Sequence, residues 1–293
     1  MALLTKVKTR MAIHAHRKVR GLLEGQYASI QTGRSMDFHD LRDYVAGDEV
    51  KDLDWKASAR RGSLLIRRYV ADRKHTVMLL AATSRTMAGM ADPDNRKSDL
   101  AVMVAGVMGW LAVKHGDRVG MVTGNAEARH SYRPGSTEVE LERMLQTILD
   151  GCDATGPEAD LAAVLAYAVR TVRRQTIMVV LADDLELTDE VQRQLRRLRA
   201  QHEILFVTFG DLDPTDPQWQ RLRLHDLAAG RAVPDFLRAD SGLHAEVVAQ
   251  REQRHSRRRK ELERLGIASE HIETEQAVIG SVFRLLERHR HGK

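Results

Sequence analysis

Four short runs of this chain are apolar at nearly every position, and stretches with helical spacing separate them. The runs are 76–83 (TVMLLAAT), 118–123 (RVGMVT), 176–183 (TIMVVLAD) and 203–209 (EILFVTF). Unbroken runs of this length mark strands buried on both faces. Residues 100–113 (LAVMVAGVMGWLAV) are apolar around the whole circumference and predict a buried helix over about 97–115. Further helices are predicted to about 149 and over about 158–174 and 188–202. Ser136 caps the first of these, with Glu138, Glu140 and Glu142 near its positive end, and Thr188 caps the last. Residues 124–134 fit an exposed hairpin. Strands alternating with helices predict an α/β fold, a doubly wound, mostly parallel sheet flanked by helices.

Either side of this alternation the pattern changes. In 1–32, Leu3, Val7, Met11, Val19 and Leu22 recur at roughly helical spacing. Residues 33–74 mix charge and apolar points, with turn signals at Gly47-Asp48 and Arg61-Gly62-Ser63, then a strand over 63–70. This predicts an N-terminal helix plus a small β-unit over 1–74, packed on a main domain of 75–243. A helical extension is expected over 244–293, with its last helix at about 275–289. Within it, Arg257-Arg258-Arg259-Lys260 is followed by Glu261 and Glu263, as on a solvated helix face.

Composition narrows the function classes. At 293 residues, with 43% hydrophobic and 30% charged, the chain can bury a full core. The apolar run 100–113 is shorter than the roughly 20 residues a bilayer needs, and no signal peptide is visible, so a cytoplasmic protein is expected. The net charge of +5 permits a nucleic-acid or acidic-protein partner. Charges of both signs are spread throughout, however, and aromatics at 4% leave few stacking platforms for single strands. Cys152 is the single cysteine and has no local catalytic partner.

In a doubly wound sheet, ligands sit beyond the carboxyl ends of the strands. Those ends carry Ala82, Ser84 and Thr86, then Asp183 and Asp184, then Asp211 and Asp213. The first and second sets resemble the metal-ion-dependent adhesion site of von Willebrand factor A domains. There a strand leads into D-x-S-x-S, joined by a threonine and an aspartate from later loops. The resemblance implies Mg²⁺ on hydroxyl and carboxylate oxygens, with one position left for a partner's carboxylate. Here the site is degenerate. Ala82 stands at the leading aspartate position and Ala159 at the threonine position, while Ser84, Thr86 and Asp183 match. With one matching acid, no metal cofactor is expected, and the Ser84 and Thr86 hydroxyls are expected to cap the following helix. Strand alternation turns Asp184 away from the side of Asp183.

The segment 33–68 carries a longer match. It reads Gly33, Asp37-Phe38, Leu41-Arg42-Asp43-Tyr44, Gly47-Asp48, Lys51, Leu53-Asp54-Trp55, Ala57, Ala59-Arg60, Gly62 and Leu64. This resembles the bacterial domain of unknown function 58 family, whose signature precedes a von Willebrand A-like strand. The resemblance implies a non-enzymatic adaptor working with a MoxR-type AAA+ ATPase on an unidentified client protein. Within the segment, Trp55 suits an anchor on the sheet, and Gly47 suits a turn at positive φ. Arg42 and Arg60 can pair with Asp43, Asp48 and Asp54, either bracing the unit or presenting a docking face with Tyr44. The alternatives are a metal-dependent ligand module on Ser84, Thr86 and Asp183, and nucleic-acid binding through Arg257–Lys260 and the basic N-terminal helix.

Overall fold

The computed structural model describes residues 2–14, 23, 25, 27, 38–45, 48, 53–69, 75–216, 219, 223–238 and 241–291. In chain order the elements are α1 (Leu3–His14), β1 (Phe38–Asp43), α2 (Trp55–Arg61), β2 (Leu65–Tyr69), β3 (Thr76–Ala82), α3 (Lys97–Lys114), β4 (Arg118–Gly124), β5 (Arg129–Gly135) and α4 (Glu138–Asp150). Then follow α5 (Leu161–Thr171), β6 (Ile177–Asp183), α6 (Asp189–Arg199), β7 (Glu203–Phe209), the short pair β8 (His225–Asp226) and β9 (Arg231–Ala232), α7 (Ser241–Arg264), β10 (Ala268–Ile272) and α8 (Val278–His291).

The main sheet has six strands in the order β10-β7-β6-β3-β4-β5. All neighbours are parallel except β4 and β5, which form the predicted hairpin. The four apolar runs are the four inner strands, and β6 and β7 are buried at every residue. Alternate side chains enter two cores. One holds Leu79, Leu181 and Val207 with α1, α3, α4 and α8; the other holds Leu80, Val180 and Phe206 with α5, α6 and the end of α7. This is the doubly wound, three-layer arrangement expected from the alternation.

α3 lies almost wholly buried because it is covered on several sides. Two glycines let its neighbours approach closely. A Cβ at Gly106 would meet Val7 of α1 at 2.6 Å, and one at Gly109 would meet Leu141 of α4 at 2.5 Å. The first amides of α1 are satisfied by the Glu142 carboxylate, at 2.7 Å from both Leu3 and Leu4, an acid placed at a helix's positive end.

The expected boundaries shift at three places. The cap of α4 is Thr137 rather than Ser136, because Thr137 and Glu140 close a reciprocal capping box, with Glu140 N donating to Thr137 Oγ1 at 3.2 Å and Thr137 N to Glu140 Oε2 at 3.1 Å. The extension 244–293 is not purely helical: its β10 joins the main sheet beside β7, and α8 packs Val278, Val282 and Leu285 into the core. The basic run 257–260 is not a uniformly solvated face. Arg257 and Arg259 pair along the helix with Glu261 and Glu263, but Arg258 is buried against Asp184.

Acid should weaken this fold in two stages. His202 is buried beside Thr176, and burial lowers its pKa, so the folded site resists the proton. Stability is present above about pH 6.5, the unfolded value, and declines as pH falls below it. Asp184 adds a second decline below about pH 4. Burial works to raise its carboxyl, but the His255 hydrogen bond and the Arg258 charge outweigh that and hold it well below the usual range. Urea midpoints measured between pH 8 and pH 3 should show both stages, and His202→Asn should remove the first. A flat profile from pH 8 to pH 5 would contradict the assignment.

Candidate functional site

The chain leaves β3 toward α3 on one face and leaves β6 toward α6 on the other. The crevice between β3 and β6 is therefore the topological switch point, where open α/β sheets bind ligands. Ser84 and Thr86 follow β3, Asp183 ends β6, and Asp211 follows β7.

The decisive side chain is one the sequence reading passed over. Lys97, the first residue of α3, is only 2% exposed. Its Nζ donates to Asp183 Oδ1 at 2.6 Å and to Asp211 Oδ1. Burial alone would lower the lysine, but the charges of Asp183 and then Asp211 reverse that, and its pKa ends above the ordinary value. For Asp211, which keeps 46% of its side-chain surface in solvent, the loss of water on its other side raises the carboxyl, Lys97 opposes this, and the nearby Asp183 charge reinforces it. The ammonium stands on the carboxylate that a divalent ion would have used. A long apolar helix opening with a lysine, together with acids at strand ends that lack a cation, was the available signal.

The remaining donors do not fit Mg²⁺ either. Ser84 Oγ and Thr86 Oγ1 bond each other at 3.0 Å. They do not cap a long helix as expected, because the chain makes one 3-10 turn, Thr86–Ala88, and α3 begins later. Ala82 is buried in the apolar core on the α5 side, and Ala159 sits exposed before Asp160, which caps α5. A hard cation here would have to displace an ammonium while two of its expected ligands are methyl groups.

Asp183 and Asp184 part as strand alternation requires. Asp184 accepts from Arg258, and its Oδ2 lies 3.2 Å from His255 Nε2. The loop after β7 is held by α7, where Arg251 donates to the Asp211 carbonyl at 2.7 Å and the Leu212 carbonyl at 3.2 Å. His244 lies 3.2 Å from the Asp213 carboxylate. Arg85 spans the crevice from Glu158 at 2.6 Å to the Ala228 carbonyl at 2.9 Å.

Cys152 borders this crevice and is not a nucleophile in waiting. Burial pushes its thiol up to about 12, so the thiolate is scarce at neutral pH. Ellman's reagent should leave it unmodified in the native chain at pH 8 and titrate one thiol after denaturation. Rapid native reaction would overturn this reading.

The described residues of the N-terminal signature form a two-stranded unit with one short helix. β1 and β2 pair antiparallel, and α2 is capped by Asp54, which accepts from Lys56 N at 3.1 Å and Ala57 N at 3.0 Å. Arg42 grips Asp48 with both terminal nitrogens, at 2.7 and 2.6 Å, and this hydrogen bond, with the Val45 amide, lowers the Asp48 carboxyl. Arg60 is exposed and makes no ion pair among the described residues. Tyr44 donates its amide to the Leu64 carbonyl at 2.9 Å. Trp55 does not anchor the unit on the sheet. It is 64% exposed, because Asp54 starts the helix so that Ser58, not Trp55, is the buried residue. Gly47 lies outside the described residues.

Residues 40–255 match the family described as protein of unknown function DUF58. The chain belongs to this family. Curated relatives from Mycobacterium bovis and Mycobacterium tuberculosis, all uncharacterised, are 30% identical over 201 residues, 68% of this chain. The match spans 62% of those relatives' length. Among solved structures, an aerotolerance-related membrane protein from Bacteroides fragilis overlaps 73% of this chain and 99% of its own at 14% identity, with a TM-score of 0.45. A von Willebrand factor type A protein from Catenulispora acidiphila overlaps 76% of this chain and 43% of its own at 10% identity, with a TM-score of 0.42. The DUF58 chain is a doubly wound α/β module, and that fold class rests on its own strand order. No helix among the described residues is long and apolar enough to cross a membrane.

Proposed function

We propose that this DUF58 protein is a non-enzymatic, cytoplasmic protein-interaction adaptor that works without Mg²⁺. Its partner is a MoxR-type AAA+ ATPase, and their joint action is the assembly or maturation of a client protein. The observation that carries the reading is the set of apolar side chains exposed on the small signature unit. Trp55, Val45 and Leu64 are 64%, 63% and 47% exposed, beside the exposed cation Arg60. Large apolar groups displayed among charges are the composition of a protein-docking surface.

The rival readings meet specific obstacles. A metal-dependent module must use Asp183 while Lys97 holds it. Nucleic-acid binding must use 257–260, where two arginines pair with glutamates and a third is buried, or the N-terminal helix, where Lys8 pairs with Glu138 and both Lys6 and Arg10 with Glu275. The test is a pull-down of the whole chain with the purified ATPase in three arms: nucleotide-free with EDTA, nucleotide-free with Mg²⁺, and with Mg²⁺-ATP. Capture is expected in the nucleotide-free EDTA arm or in the Mg²⁺-ATP arm. No capture in either removes the ATPase, and nucleotide-free capture that needs Mg²⁺ favours the metal-dependent module.

A further inference from the structure

We propose that Asp184, His255 and His271 form a site for one divalent transition-metal ion, zinc by its ligand set, which clips α7 and β10 to the end of β6. Asp184 directly follows β6, His255 lies on α7 and His271 on β10, and one ligand atom from each lies within 4.8 Å of the others. His255 Nε2 is already 3.2 Å from Asp184 Oδ2, and the two imidazole rings are 3.7 Å apart. Two imidazoles and a carboxylate, with a fourth position open, are a recurring zinc set.

Two further observations point to a ligand. His271 Nε2 is buried and has no hydrogen-bond partner. Its other nitrogen, Nδ1, lies 2.9 Å from Thr208 Oγ1. When Nδ1–H donates to that hydroxyl, the lone pair sits on Nε2, the way a metal-binding histidine is commonly oriented. His255, His271, Thr208, Arg258 and Glu270 line a cavity of about 300 Å³ that gives an ion access. Glu273, with Oε1 3.6 Å from His271 Nε2 and its side chain mostly exposed, stands beside the open position.

Arg258 is the competing cation, since it contacts Asp184 and its Nη2 lies 3.4 Å from His271 Nδ1. It takes Oδ1 and leaves Oδ2, the oxygen facing His255, for the metal. The site is separate from the Lys97 crevice because Asp184 faces away from Asp183, yet α7 links the two: the helix that carries His255 also holds the Asp211 loop through Arg251.

The test is a titration of the whole chain, stripped with EDTA, with zinc chloride by calorimetry and thermal melting. One ion per chain is expected, with micromolar or tighter affinity and a raised Tm. Cobalt(II) should give the intense visible bands of a low-coordinate site. His255→Gln and His271→Gln should each weaken zinc by at least about tenfold. Thr208→Val, which removes the hydroxyl that orients His271, should weaken it by about 10–100-fold. His130→Gln, at an exposed histidine, should bind like the parent. No heat and no Tm change at excess zinc would overturn the proposal, as would unchanged affinity in the His255→Gln/His271→Gln double variant. Should that variant fail to fold, the parent's cobalt spectrum decides, and the pale spectrum of octahedral cobalt overturns the site.

Discussion

Replacing Lys97 with methionine should destabilise the protein by about 3 kcal/mol, even though methionine fits an apolar helix better. Removing one partner of a buried ion pair costs about 3–5 kcal/mol, because the other charge is left without a counter-ion. Here two carboxylates lose their shared cation. Asp183 is buried, but Asp211 keeps 46% of its side-chain surface exposed and can rehydrate, so the lower end of the range applies. At about 2–4 °C per kcal/mol for a chain of this size, Tm falls by about 6–12 °C. The substitution also vacates the place beside Asp183 that Mg²⁺ or Mn²⁺ needs. Millimolar Mn²⁺ should therefore recover part of the lost Tm in Lys97→Met and shift the parent little, by binding only the folded state. Adding Asp183→Asn should then cost less than the sum of the single changes, since the two residues form one unit. A Lys97→Met variant that melts within 1 °C of the parent would show that the ammonium is not what holds the switch-point acids.

The inner strands and α3 were legible because burial on both faces leaves a continuous apolar run, which no exposed element reproduces. β10 was not legible for the opposite reason. It is an edge strand, ASEHI, paired on one side with β7 and only partly buried, so its polar residues read as loop. Ser136 and Thr137 both suit a cap, and the choice fell to Glu140 three residues after Thr137. The two alanines at Ala82 and Ala159 showed that the adhesion-site pattern was broken, but not what replaced it. Lys97 lies 86 residues from Asp183 and 114 from Asp211, and nothing local in DNRKSDL marks it as their partner. The same distance hides the cluster of Asp184, His255 and His271, which a helix and two strands assemble without any local ligand spacing. For Trp55, size suggested an anchor, and the Asp54 cap decided otherwise by setting which face of a seven-residue helix is buried.

Trp55→Ala should leave the fold intact and abolish most of the proposed partner binding. A 64% exposed side chain contributes little packing, and surface changes away from special features stay within about 0.5 kcal/mol. Alanine at the first position of α2 also favours the helix slightly, and the Asp54 cap acts through its own carboxylate, so Tm should be nearly unchanged. Binding is different. Tryptophan is enriched among the few interface residues that cost at least about 2 kcal/mol on truncation, which is about 30-fold in Kd. Leu64→Ser on the same unit should weaken binding less, because a smaller apolar area is lost. Arg60→Glu should act mainly on the association rate and its salt dependence, as a rim charge does. Kd for the ATPase, measured by interferometry alongside melts of each variant, separates these effects. An unchanged Kd in Trp55→Ala, with the parent binding, would move the docking surface off the signature unit. Conversely, a loss of binding that tracks a loss of Tm would make Trp55 a bracing residue after all.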